Sequence, residues 1–293
     1  MVQNHLIITA VHVDDSLWNG NLPDIQLVLS KLQRIFDLHI ELESTQGLGM
    51  RIVRIWMRRE IHISNPVMID ELITRFCCQN AKGKGNVLFP LKNSLAGALS
   101  LYSSCFSKDH YRAALNILLY LKTTKDFGVV LGGLPYCTSP SGEYKIVHSM
   151  MDIWATGDAS FGSERNGRSR GGLTVHIGTG PIFWRSYKQP LVTLSSGKSE
   201  TVTLTDTVRE AISIANLREE IAAKFCSFDS VTMKAIVVYQ DNQSTLKSAN
   251  KQSHSSRTKH QHIRHHFVRE AVEDGKANII YCPDDHMIAE LIS

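Results

Sequence analysis

Residues 151–293 are predicted to fold as an α/β domain, a mixed sheet covered by helices, and three observations carry the prediction. A linker-like stretch at 131–150, crowded with Gly132, Gly133, Pro135, Ser139, Pro140, Ser141 and Gly142, sets them apart from what precedes. Three β-rich apolar runs then follow one another with Gly-rich turns between them. Helical and strand patterns alternate after that, giving the order βββ-α-β-α-α-β-α.

The three runs are Asp152 to Phe161, Gly172 to Ile177 and Ile182 to Tyr187. Lys198 to Lys224 has helical spacing, with Ala211, Ile214, Leu217 and Ile221 on one face. Ala235 to Tyr239 is a strand of the buried type. Short helices are expected from Gln243 and from about His260, then a last strand at Ala277 to Tyr281 and a terminal helix from His286.

Residues 1–130 have a different pattern. Leu6 to Val13 and Ser16 to Trp18 are expected to be strands meeting at a turn built on Asp14 and Asp15. Ile25, Val28, Leu29, Leu32 and Ile35 place a helix over Asp24 to Phe36, with Asp24 as a candidate cap. Met50 to Met57 and Ile61 to Ser64 are predicted strands. Pro66 to Phe76 and Tyr111 to Lys122 are predicted helices, and 79–110 is polar and irregular.

Composition bounds the class. At 293 residues, 43% hydrophobic and 20% charged, the chain is not disordered throughout, and its net charge of +4 is a mild excess. The six cysteines (Cys77, Cys78, Cys105, Cys137, Cys226 and Cys282) lack zinc-finger spacing and fit a reducing compartment. No apolar run approaches the roughly 20 residues that span a bilayer, and the N-terminus has no signal-peptide pattern. A soluble intracellular protein, cytoplasmic or nuclear and without a membrane partner, is expected.

Four acids stand at rigid places. Asp158 lies within the first strand of the second part and Glu200 in the first turn of the long helix. Asp241 closes the strand ending at Gln240, and Glu290 sits in the terminal helix. Such carboxylates repel when gathered, unless a cation joins them. Mg²⁺ (or Mn²⁺) fits: it takes oxygen ligands and keeps water and phosphate in its shell. Two ions about 4 Å apart can activate a water and stabilise a leaving 3′-oxygen. The alternative is four solvated acids among the chain's 28. Asp158 and Asp241 resist that alternative best, because each interrupts or closes a strand of buried type.

A basic stretch follows. Lys247, Lys251, Arg257, Lys259, Arg264 and Arg269 occur without an intervening acid, a candidate nucleic-acid-binding band. A solvated helix face is the alternative. His260, His262 and His266 have ligand-like spacing, but with no cysteine nearby a zinc site is not expected.

At these residues the sequence resembles the C-terminal end of copia-type retrotransposon Pol polyproteins. The matching stretches are Gly157-Asp-Ala-Ser160, Phe183-Trp-Arg-Ser-Tyr-Lys-Gln-Pro190, Thr193-Leu-Ser-Ser196 with Glu200, Asp241-Asn-Gln-Ser244, Ser256-Arg-Thr-Lys-His260 and Ile263-Arg-His-His-Phe-Val-Arg-Glu270. Pro283 and Ile288-Ala-Glu-Leu291 follow in family order. The resemblance implies a ribonuclease H-like five-stranded mixed sheet flanked by helices. It implies metal-ligand and catalytic roles for Asp158, Glu200, Asp241 and Glu290, with two ions. The implied activity is endonucleolytic cleavage of the RNA strand of an RNA–DNA hybrid. Glu290 stands where the family usually has Asp, and His262 likewise. His286 stands just before the terminal helix, where ribonucleases H often carry a mobile residue.

The first part resembles a truncated reverse transcriptase palm and connection. Val13-Asp14-Asp15 matches the paired-aspartate motif, with His12 for the usual Tyr. Ile61-His-Ile-Ser64, Phe89-Pro-Leu91 and Tyr120-Leu-Lys-Thr-Thr-Lys-Asp126 follow the downstream pattern. The upstream palm strand and fingers are not seen, so Asp14 and Asp15 are expected to be relics and polymerisation is not expected. The remainder of a Pol polyprotein is a further expected partner, and this part is expected to be the less stable one. A decayed fragment that at most binds nucleic acid is the rival reading.

Overall fold

The computed structural model describes residues 7–13, 15–42, 44–81, 99–100, 102–132, 152–164, 166–225, 234–250, 259–283 and 287–291, without the side chains at 224–225, 247–250, 259–262 and 290–291. The first part opens on an antiparallel hairpin, β1 (Ile7–His12) and β2 (Asp15–Gly20), in which His12 pairs with Asp15. Asp15 thus lies at the expected turn, and Asp14 falls outside the described residues. Helix α1 (Leu22–Leu32) starts two residues earlier than predicted. Asn21 takes the cap position instead of Asp24, which lies in the first turn, where the helix dipole favours an acid.

β3 (Gln46–Gly47), β4 (Met50–Ile55), β5 (Glu60–Ser64) and β6 (Val129–Gly132) form a four-stranded antiparallel sheet in that order. β4 stops at Ile55 and runs into a short 3₁₀ turn, Trp56–Arg58, so the predicted strand over Met50 to Met57 is shorter. Arg59 then reverses the chain at φ 54°. α2 (Pro66–Arg75) is capped by Asn65, whose side chain accepts from the Met68 N–H. α3 (Lys108–Thr123) begins earlier than predicted because Ser107 and His110 form a reciprocal cap. β6 occupies the start of the expected linker at Leu131 and Gly132, and residues 133–150 fall outside the described residues.

The second part is a five-stranded mixed sheet. β7 (Ile153–Ser160), β8 (Arg170–Ile177) and β9 (Gly180–Lys188) form an antiparallel meander. β10 (Ile236–Gln240) is parallel to both β7 and β11 (Ala277–Tyr281). The helices are α4 (Ser196–Phe225), α5 (Gln243–Asn250) and α6 (Lys259–Glu273). The expected terminal helix is a four-residue 3₁₀ turn, Ile288–Leu291, packed against β7 and β8.

Alternation along the strands divides the sheet into two faces. Ile153, Ala155, Leu173, Val175, Val238 and Ile279 join Leu204, Val208, Ala211, Ala215, Val268 and Ala271 of the helices in the main core. Trp154, Tyr239, Cys282, Met287 and Ala289 form a second cluster. Trp154 stacks on His176 with ring centroids 3.8 Å apart and donates to the Gly178 carbonyl at 2.7 Å.

The long helix departs from the predicted single face. Every residue from Ser199 to Val208 is buried, whereas Leu217 and Ile221, placed on the core face by spacing, are exposed. Close contact with the sheet explains the first half. A Cβ added at Gly157 would stand 2.2 Å from Thr207 Oγ1, and one at Gly171 would stand 2.8 Å from Thr203 Oγ1. These two glycines, two residues apart in the register of β7 and β8, thus let the Thr-rich turns of α4 approach the strands directly.

Gly157→Ala is expected to lower unfolding free energy by about 1–3 kcal/mol, the usual effect of overpacking a filled core. Urea unfolding measures it, and an unchanged midpoint would mean that α4 does not sit this close to β7.

Candidate metal centre

Three of the four acids come together. Asp158 is the sixth residue of β7, Glu200 is in the second turn of α4 and Asp241 follows directly on β10. Each offers a carboxylate oxygen, and these three oxygens all lie within 4.8 Å of one another. Asp158 and Glu200 are buried and Asp241 is half-buried. Among the described residues no other group of acids, histidines and cysteines meets at such distances.

The local sequence explains why these elements converge. Gln189, fully buried at the end of β9, donates from Nε2 to the Ser199 carbonyl at 3.0 Å and to Thr203 Oγ1 at 3.1 Å. That fixes the start of α4 and with it Glu200. The helix begins at Ser196, earlier than the predicted Lys198, which moves Glu200 from the first turn to the second. Asp241 is held by the chain reversal after β10. Asn242 Oδ1 accepts from the backbone N–H groups of Ser244 and Thr245, both at 3.0 Å, and so caps α5. Thr245 Oγ1 reaches the Gly197 carbonyl at 3.4 Å, joining the starts of α5 and α4.

The repulsion within the cluster falls on Glu200, which keeps its proton. Burial first, then Asp158 and Asp241, push its carboxyl up to about 8 from an ordinary 4.5. Hydrogen bonds from the Gln240 amide and the Ala159 backbone N–H oppose this in part. A crowded set of carboxylates with these properties suits a divalent cation with oxygen ligands. Gln240 itself was not singled out from the sequence. Its signal is a polar residue one position before Asp241, on the face that Val238 gives to the core.

The remaining candidates lie elsewhere. Glu290 is on the 3₁₀ turn that packs against β7, the strand of Asp158, and its side chain is outside the described residues. Lys247 and Lys259 sit on α5 and α6 with side chains also outside them, and Lys251, Arg257 and His286 are outside altogether. Arg264 does not lie on an open face. It is half-buried between helices, with Nη1 3.8 Å from Asp206 Oδ1 and 3.5 Å from the Val202 carbonyl. Asp206 also accepts from Tyr187 Oη at 2.5 Å and pairs with Arg209 at 3.4 Å. This network ties α6 to α4 and β9. Arg269 is half-buried on α6. Asp15 is exposed, and among the described residues it joins no cluster.

The sheet order and the covering helices define a mixed α/β domain in which acids from β7, from α4 and from just beyond β10 meet. The whole chain is a relative of retrovirus-related Pol polyproteins. It is 26% identical to that of transposon TNT 1-94 from Nicotiana tabacum, over 99% of this chain and 23% of that protein. It is 26% identical to that of transposon RE1 from Arabidopsis thaliana, over 98% of this chain and 20% of that protein. The chain therefore spans about a fifth of the length of these curated relatives. Among solved structures, the N-terminal RNase H domain of a Mycobacterium tuberculosis protein is 10% identical, covering 49% of this chain and 91% of that one, with a TM-score of 0.35. No family model matches the chain. Among the described residues no helix is long and apolar enough to cross a membrane.

Glu200 gives the metal-free protein a pH dependence. The folded state holds this proton up to about pH 8, whereas an unperturbed carboxyl releases it near 4.5. Between those values the folded state binds more protons, so Glu200 makes stability fall as pH rises. Urea unfolding in the presence of a chelator should show that fall, and Glu200→Gln should flatten it. An equal slope in both proteins would contradict the assignment.

Proposed function

We propose that residues 151–293 form a ribonuclease H-type endonuclease that cleaves the RNA strand of RNA–DNA hybrids within a retrotransposon Pol fragment. The observation that carries the proposal is the convergence of Asp158, Glu200 and Asp241 to within 4.8 Å, from three elements far apart in sequence. The motif resemblance and the Pol-polyprotein relatives support the same reading.

In this reading Asp158, Glu200 and Asp241 hold two Mg²⁺ (or Mn²⁺) ions, with Glu290 assisting from the terminal turn. Bound there, the ions would supply a water activated for attack and stabilisation of the leaving 3′-oxygen. The protein's own part is to keep the carboxylates in place on a strand, a helix and a strand–helix junction, which are rigid positions. Burial of Asp158 and Glu200 keeps competing water away. Preference for RNA would come from contacts to 2′-hydroxyls, which DNA lacks. Lys247, Lys251, Arg257, Lys259, Arg264 and Arg269 are proposed to follow the phosphates, and such binding weakens as salt rises. The domain limits, 1–130, 131–150 and 151–293, belong to the same proposal.

Residues 1–130 are proposed to be the tail of a reverse transcriptase that packs against the remainder of a Pol polyprotein. Exposed apolar side chains support this: Val13 is 87% exposed, Met57 96% and Phe127 74%. The rival reading, a decayed fragment without activity, is favoured by one feature. Glu290, the acid that departs from the family, stands on a short 3₁₀ turn rather than on a helix.

Cleavage of a labelled hybrid in Mg²⁺ separates the two. The nuclease reading expects metal-dependent cutting of the RNA strand and at least about a tenfold loss of rate, or 1.4 kcal/mol, in Asp241→Asn. Hybrid binding without any cutting would leave the decayed reading.

A further inference from the structure

Gln240 is the last residue of β10 and is fully buried. It continues the side of the strand that carries Ile236 and Val238, both buried in the core. An apolar residue would be expected there. The amide instead reaches the acids that meet beyond the strand end. Its Nε2 donates to Asp241 Oδ1 at 2.8 Å and to Glu200 Oε2 at 3.2 Å. One amide nitrogen has two N–H groups, so each carboxylate receives one.

The orientation of this amide follows from charge. Turned round, it would set a carbonyl oxygen against two carboxylates. In the observed orientation the donors face the acids, and Oε1 is left without a hydrogen-bond partner among the described residues. A buried carbonyl without a partner is destabilising, because it has lost its bonds to water. The gain that offsets it is the pair of bonds to the two acids, and a bond to an ionised carboxylate is about twice as strong as a neutral one. Leucine or methionine at this position would avoid the orphaned oxygen and keep the row apolar, so packing alone does not account for a glutamine.

We propose that Gln240 is a positioning residue for the metal centre: its amide clamps Glu200 and Asp241 at a ligating separation before a cation arrives. The inference rests on the proposed metal-binding role of the acids. It differs from a purely structural role because it acts on the spacing of two acids from different elements. Without the two N–H groups the acids lose the partner that lies between them and move apart. The cation must then bring them back together, and its affinity falls.

Mn²⁺ binding to the full chain, followed by the paramagnetic resonance signal of the free ion, tests this. Gln240→Met keeps the shape without the donors, and partners that orient metal ligands are typically worth about 10- to 100-fold in affinity. The dissociation constant should therefore rise by about that factor in Gln240→Met. Gln240→Asn keeps the amide but withdraws it by one methylene. It should weaken binding in the same direction, and it serves as the variant should Gln240→Met fail to fold. Asp158→Asn identifies which idea fails. If it loses Mn²⁺ while a folded Gln240 variant binds within twofold of the parent, the positioning role is overturned and the metal site stands. If Asp158→Asn also binds like the parent, the metal reading itself is overturned, and the role of Gln240 with it.

Discussion

Carboxylates brought together in a buried place repel one another, and that repulsion is the constraint on which the second half of the chain depends. Asp158 and Glu200 are buried and Asp241 partly so, and their effect on one another shows in the raised carboxyl of Glu200. Holding them there requires a framework that does not yield. Gly157 and Gly171 remove the side chains that would keep α4 away from β7 and β8. Gln189 anchors the beginning of that helix, Asn242 fixes the turn after β10, and Gln240 lies between two of the acids. Each device is small alone. Together they set three acids on three rigid elements, with carboxylate oxygens within 4.8 Å of one another, a spacing that suits a divalent cation.

Much of this framework was legible in the sequence. The β-rich runs and their turns gave the strands of the second part to within a few residues, because each strand is half or fully buried and is marked by its apolar content. Asp158 and Asp241 stood out because an acid inside or just after such a run has no ordinary reason to be there. Glu200 stood out by its place at the start of the long helix, and its ligand role came from the motif resemblance. What the sequence hid was polar packing. Thr201, Thr203, Thr205 and Thr207 are all buried, although threonine does not announce a core, and the helical stripe instead pointed to Leu217 and Ile221. Those two lie beyond the part of α4 where side chains are continuously buried. The contact of Arg264 with Asp206 was equally hidden, because Asp206 lies 58 positions earlier on another helix and no local pattern reveals the pairing.

The first part was harder to foresee for a different reason. β3 has two residues and β6 four, too short for any alternation to register, yet they complete a four-stranded sheet with β4 and β5. Its buried apolar side chains among the described residues are Ile25, Leu29, Ile52, Ile73 and Cys78, whereas the second part has two apolar clusters on a five-stranded sheet. Hydrophobic burial scales with the apolar area removed from water, so the second part has the larger share of the driving force for folding. The chemistry proposed for the chain sits on that better-packed half.

The central claim is that the three acids receive divalent ions. Anomalous diffraction from crystals of the protein soaked in Mn²⁺ tests it most directly. The account predicts anomalous peaks in the gap between Asp158, Glu200 and Asp241, with carboxylate oxygens at roughly the 2.0–2.2 Å expected of small divalent ions. Crystals that take up manganese only at other places, with that gap empty, would contradict it.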